Sequence, residues 1–80
     1  MRPPTLRQRE ALQWINVFMR AQGHAPTIRE IGTALGISST NAVMDLVRAL
    51  ERKGLLTRKP GRARTMRITP LGESILLMVA

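Results

Sequence analysis

Two hydroxyls, a carboxamide and a methyl follow one another at Ser39-Thr40-Asn41-Ala42, and a thioether and a carboxylate come just after at Met44 and Asp45. On a helix, Asn41, Ala42, Met44 and Asp45 share one outward face, and theirs are the chemistries that read base edges. In the major groove a carboxamide bonds adenine N6 and N7 together, an apolar group meets a thymine methyl, and a carboxylate accepts from cytosine N4. Ser39, Thr40, Arg7, Arg52 and Lys53 carry donors suited to phosphates, with Arg48 farther along the same helix; such contacts fix register without reading sequence. Lys59, Arg62 and Arg64 fall on a loop that could follow the backbone or enter a neighbouring minor groove. Singly, Ser39 and Asn41 are also ordinary helix-start residues, because both types cap helices readily. Together these residues favour double-stranded DNA as partner.

These side chains need a scaffold, and the flanking residues describe one. Ser38-Ser39 caps a helix on which Val43, Leu46, Val47 and Leu50 recur at three- and four-residue steps, closing near Arg52-Lys53 with Gly54 behind. Before it, Thr27-Ile28-Arg29-Glu30 forms a capping box for a helix of about two turns, with Ile31, Ala34 and Leu35 on one face and Gly36 as its stop. The pair reads as a helix-turn-helix. Upstream, Thr5-Leu6-Arg7-Gln8 is a second capping box, starting a helix at Leu6 whose buried stripe is predicted as Ala11, Ile15, Phe18 and Ala21, flanked by Trp14 and Met19 and ended by Gly23. Downstream, Leu55–Arg58 and Met66–Ile68 alternate like strands around a Pro60-Gly61 turn, giving a hairpin whose tip is a wing. Thr69-Pro70-Leu71-Gly72-Glu73 then opens a last helix reaching about Val79. Its Leu71, Ile75, Leu76, Met78 and Val79 exceed what one small face can hide, so residues 69–80 are a candidate dimerisation or partner surface. The predicted fold is mainly α with a small β-hairpin: a three-helix winged helix-turn-helix plus a C-terminal helix, one domain over residues 1–80.

Composition bounds the function. Eighty residues make one small domain that hides about 60% of its unfolded surface, too little for a large active-site cleft. Thirteen Lys and Arg against five Asp and Glu give a net charge of +8, which suits a polyanion, either nucleic acid or an anionic membrane surface. Residues 52 to 67 hold seven of those cations and no acid, a one-sign block that calls for an anionic partner. There is no cysteine, hence no disulfide or thiolate site. Glu10, Glu30, Asp45, Glu51 and Glu73 are scattered without a pair and no nucleophile sits beside a base, so no catalytic residue is assigned. His24 stands alone beside Gly23, so no metal or cofactor is assigned, and no small-molecule ligand is evident. Trp14 and Phe18 are placed toward the core, which weighs against stacking on single-stranded RNA. The N-terminus lacks the apolar core of a signal peptide, and the apolar run Ile75–Ala80 is far short of the roughly 20 residues of a membrane span. A cytoplasmic, nucleoid-associated location without membrane partners is expected. The competing reading is a winged-helix module that binds another regulator or polymerase through Pro70–Ala80 or the basic wing.

Thr5-Leu6-Arg7-Gln8, Gly23-His24-Ala25-Pro26-Thr27 leading to Glu30-Ile31, Leu35-Gly36, Ser39-Thr40-Asn41-Ala42 and Arg48-Ala49-Leu50-Glu51-Arg52-Lys53-Gly54 form a specific combination. Through it the chain resembles, over roughly residues 3 to 68, the N-terminal DNA-binding domain of the LexA repressors, regulators of the bacterial SOS response. The resemblance implies Ser39, Asn41 and Ala42 in the major groove, Arg7, Arg52 and Lys53 on the backbone, added contacts from the wing, and action as a promoter-occupying repressor. Where the familiar pattern has two adjacent glutamates this chain has Met44 and Asp45, so an operator differing from the usual one at the bases read there is expected. LexA repressors normally continue into a Ser-Lys peptidase domain that dimerises and cleaves the protein. The eighty residues do not include it, so no self-cleavage is expected of them, and a homodimer would form through the last helix or the missing domain.

Overall fold

Local hydrogen bonds start the first three helices. Gln8 N–H donates to Thr5 Oγ1 at 3.2 Å while Thr5 N–H donates to Gln8 Oε1 at 2.9 Å, and α1 (Leu6–Gln22) runs from this cap to Gly23. Thr27 and Glu30 repeat the device, with reciprocal bonds of 3.1 and 2.8 Å, for α2 (Ile28–Leu35), which ends at Gly36 in the left-handed conformation. Ser39 Oγ accepts from Ala42 N–H at 3.2 Å and opens α3 (Thr40–Arg52). The computed structural model describes residues 3–78 and continues with β1 (Leu56–Thr57), β2 (Arg67–Ile68) and α4 (Pro70–Met78). The architecture is the expected one; Val79 and Ala80, anticipated in or beside the last helix, lie outside the described residues, as do Met1 and Arg2.

The core is formed by Ala11, Leu12 and Ile15 of α1, Ile31 of α2, Val43, Val47 and Leu50 of α3, and Leu55, Leu56 and Met66 beside the hairpin, and no described polar or charged side chain is buried with them. Several details differ from expectation. Leu12 rather than Ala21 belongs to the buried stripe of α1, and Ala34 of α2 is exposed. Both alanines sit at the edge of their stripe, where a methyl buries little area and nothing holds it inward. Phe18 is half-buried, its ring 5.1 Å from Trp14 and edge-on to His24 at 5.5 Å, so the aromatics close the margin of the core rather than fill it. The hairpin pairs only Leu56 with Ile68 and Thr57 with Arg67, shorter than the predicted runs. Arg58 is drawn instead to Glu51, with Nε 2.8 Å from the carboxylate.

Close backbone approaches fix the helix-turn-helix and the last helix. A Cβ on Gly32 would lie 2.9 Å from Ile37 O and 3.1 Å from Val43 Cγ2, so α2 and α3 meet where only hydrogen fits. A Cβ on Gly72 would lie 2.3 Å from Leu55 O, which places α4 directly on the entry to β1. Thr69 locks that junction: its hydroxyl accepts from Gly72 N–H at 3.0 Å and donates to Gly54 O at 2.6 Å, and its N–H donates to Leu55 O at 3.2 Å. The seating of α4 leaves Leu77 and Met78 each 80% exposed, so the last helix does carry more apolar side chains than the fold covers. None of the described helices is long and apolar enough to cross a membrane.

Candidate nucleic-acid interface

Helix α3 divides its residues between two tasks. Val43, Val47 and Leu50 are buried and hold it against the core, whereas Asn41, Ala42, Asp45, Arg48 and Arg52 are exposed along the opposite side and Met44 is half-buried between them. A helix held by one stripe and bare on the other is the form that enters a major groove. Asp45 reaches Arg48 at 3.9 Å, a loose pair of exposed side chains one turn apart that solvent screens. The Ser39 hydroxyl serves as the helix cap, and Thr40 is exposed beside it.

Several candidate phosphate ligands have internal partners. Arg7 Nη2 donates to Leu35 O at 2.8 Å and its Nη1 lies 3.3 Å from Glu10, so this side chain ties α1 to the exposed carbonyl at the end of α2. Lys53 Nζ donates to Gln8 Oε1 at 2.6 Å and to Pro3 O at 3.1 Å, joining the end of α3 to the start of α1. Arg64 Nη1 lies 3.1 Å from each of Ala25 O, His24 Nδ1 and Glu30 Oε1, which straps the wing to the first turn of α2. In consequence the Glu30 carboxyl titrates below its usual 4.5, held charged chiefly by the Thr27 backbone N–H and then by Arg64. Thr65 organises the wing itself: its hydroxyl accepts from Lys59 N–H at 2.9 Å and donates toward Arg62 O at 3.1 Å.

The acids thereby select which cations stay available. Glu10, Glu30, Asp45 and Glu51 pair with Arg7, Arg64, Arg48 and Arg58. Among the described residues Arg52, Lys59 and Arg62 form no ion pair and are exposed, and so is Arg29, which the sequence reading passed over. Its only signal was its place inside the Thr27–Glu30 capping box, one residue before an acid that the cap itself engages. Arg29 and Thr40 line a groove of about 400 Å³ between α2, the start of α3 and the wing, with Arg58 and Arg62 on its other side. No three described His, Cys, Asp or Glu side chains come together as a metal site would require.

A helix-turn-helix whose second helix is bare on its outer side, followed by a hairpin wing that carries the exposed cations Lys59 and Arg62, has the form of the winged-helix class of DNA-binding domains. The family model described as the LexA DNA binding domain matches residues 1–65. The chain belongs to that family. It is 43% identical over 76 residues to LexA repressor 2 of Nocardia farcinica and 50% identical over 72 residues to the LexA repressor of an Anaeromyxobacter species, alignments that cover 95% and 90% of this chain. In both comparisons the chain spans 31% of the relative's length. Among solved structures, a transcriptional regulator from Thermotoga maritima superposes with a TM-score of 0.73 at 33% identity, covering 94% of this chain and 50% of that one. MepR of Staphylococcus aureus, a transcription regulator, superposes with a TM-score of 0.72 at 26% identity over 92% of this chain and 53% of its own.

Proposed function

We propose that the chain is a sequence-specific double-stranded DNA-binding transcriptional regulator that represses by occupying promoter operators. The observation that carries this reading is the division of α3: buried valines and leucine hold it, and Asn41, Ala42 and Asp45 stand exposed where base edges would lie. Met44, half-buried at the rim of that face, offers a flexible apolar contact suited to a thymine methyl. Arg52, Thr40 and the wing cations Lys59 and Arg62 flank it as backbone contacts. Arg48 contributes less, because Asp45 shares its charge, and Arg7, Lys53 and Arg64 act mainly by holding the helices and the wing in place. Repression is the role that the relatives' names give those proteins, and this chain's membership of the family supports the same role here.

The test is selection of duplex DNA from a random pool by the purified chain, followed by affinity measurements on the enriched site and on unselected DNA. Asn41→Ala should cost about 1–3 kcal/mol on the selected site and far less on random DNA, whereas Arg52→Ala should weaken both alike. Equal losses for both variants on both DNAs would overturn these roles. Absence of any enriched site, with binding indifferent to salt, would transfer the reading to a module that docks on protein.

A further inference from the structure

The groove between α2 and the wing is built for a charge of one sign. Four arginines line it, at positions 29, 58, 62 and 64, together with Thr40, and there is no carboxylate among its lining residues. Arg58 and Arg64 are neutralised by Glu51 and Glu30, and these pairs act as fasteners, the second holding the wing to α2. Arg29 and Arg62 stand exposed without an ion pair among the described residues. The acid next to Arg29 in sequence, Glu30, is already engaged by Arg64 and by the Thr27 N–H. The first turn of α3 also opens beside Thr40: Ser39 caps Ala42, while the N–H groups of Thr40 and Asn41 have no acceptor inside the helix, so the positive helix end adds to the field.

We propose that this groove holds a DNA backbone strand, with Arg29 as a phosphate ligand on the α2 wall and Arg62 facing it from the wing. Resting on the DNA-binding function proposed above, α2 then touches the duplex directly as well as supporting α3. Because Glu30 joins Arg64, the two walls form one rigid seat. The strand gripped there lies alongside the groove that α3 enters, and it fixes how deep the recognition helix sits.

The test is the salt dependence of binding to a short duplex, compared for the parent chain, Arg29→Ala, Arg29→Lys, Arg62→Ala and Asn41→Ala. Each phosphate neutralised contributes about 0.9 to the slope of log affinity against log salt. Arg29→Ala should lose one such increment, so that the parent's drop in affinity between about 50 and 200 mM salt shrinks about 3.5-fold, on selected and random DNA alike. Arg62→Ala should behave the same way, and Arg29→Lys should keep the parent slope. Asn41→Ala should leave the slope unchanged. If Arg29→Ala binds with the parent's affinity and slope while Asn41→Ala loses the selected site, the groove is not a strand seat, although DNA binding stands. A parent chain whose binding ignores salt would overturn both readings together.

Discussion

Replacing Gly72 by alanine adds one methyl at the point where α4 rests on the hairpin. The new Cβ would stand 2.3 Å from Leu55 O, about 1 Å inside ordinary van der Waals contact, and 2.8 Å from Ile68 Cγ2. Neither neighbour can swing away: one is backbone and the other a branched side chain of a paired strand. Helix α4 must lift, which strains the bond from Thr69 N–H to that same Leu55 oxygen. Overpacking costs about 1–3 kcal/mol, and a weakened hydrogen bond adds about 0.5–1.5 kcal/mol. Alanine's better helix propensity returns up to about 1 kcal/mol. A net loss near 2 kcal/mol lowers the melting temperature of a domain this size by about 8–16 °C. The assay is thermal unfolding followed by far-ultraviolet circular dichroism, with Ser74→Ala on the exposed side of the same helix as the control for helix propensity alone. If Gly72→Ala melts with or above the parent, α4 does not rest on Leu55 as described and the close-approach reasoning fails.

Two other outcomes follow from the internal partners of charged side chains. The Glu30 carboxyl is held below 4.5 in the folded chain, so its contribution is complete above that pH and fades as pH falls through the lowered value. Glu30→Gln should therefore flatten the acid limb of a stability-against-pH curve, and Arg64→Ala should flatten it in part; an unchanged limb in Glu30→Gln would remove the carboxylate from that role. Lys53→Ala should lower stability by about 0.5–1.5 kcal/mol by cutting the link to Gln8 and Pro3, whereas Arg52→Ala should leave the urea midpoint unmoved and weaken only DNA binding. A Lys53→Ala chain as stable as its parent would return Lys53 to the phosphate contacts.

What could be foreseen from the sequence was set by range. The capping boxes at Thr5-Gln8 and Thr27-Glu30 and the cap at Ser39 span three residues, so residue type and spacing contain all of their physics. The apolar steps of α3 were legible for the same reason. The partners of Arg7, Lys53 and Arg64 lie 28, 50 and 34 residues away, and no local pattern shows that a cation in a basic run turns inward to a carbonyl or a distant acid. Arg29 was hidden in the opposite sense: beside Glu30 it reads as half of a neutral pair until Arg64 is seen to occupy that acid. Alanines 21 and 34 matched the helical period, yet a methyl weighs too little to force its own burial. Gly72 reads in the sequence as part of a helix start, and its contact with Leu55 depends on how α4 docks, which periodicity does not encode.

The division of α3 also bears on how such regulators diverge. Asn41, Ala42 and Asp45 are exposed and contribute nothing to the core, so exchanges there move nearly free of folding constraint, within about 0.5 kcal/mol for ordinary surface positions. With the base-reading roles proposed for them, recognition would drift one base pair at a time after a duplication while Val43, Val47 and Leu50, which are buried, keep each descendant folded. Met44, half-buried at the boundary, is the exception: there a new preference comes with a change in packing. A lineage exploring new operators should accumulate differences first at positions 41, 42 and 45, and reach position 44 only after the fold has gained stability to spare.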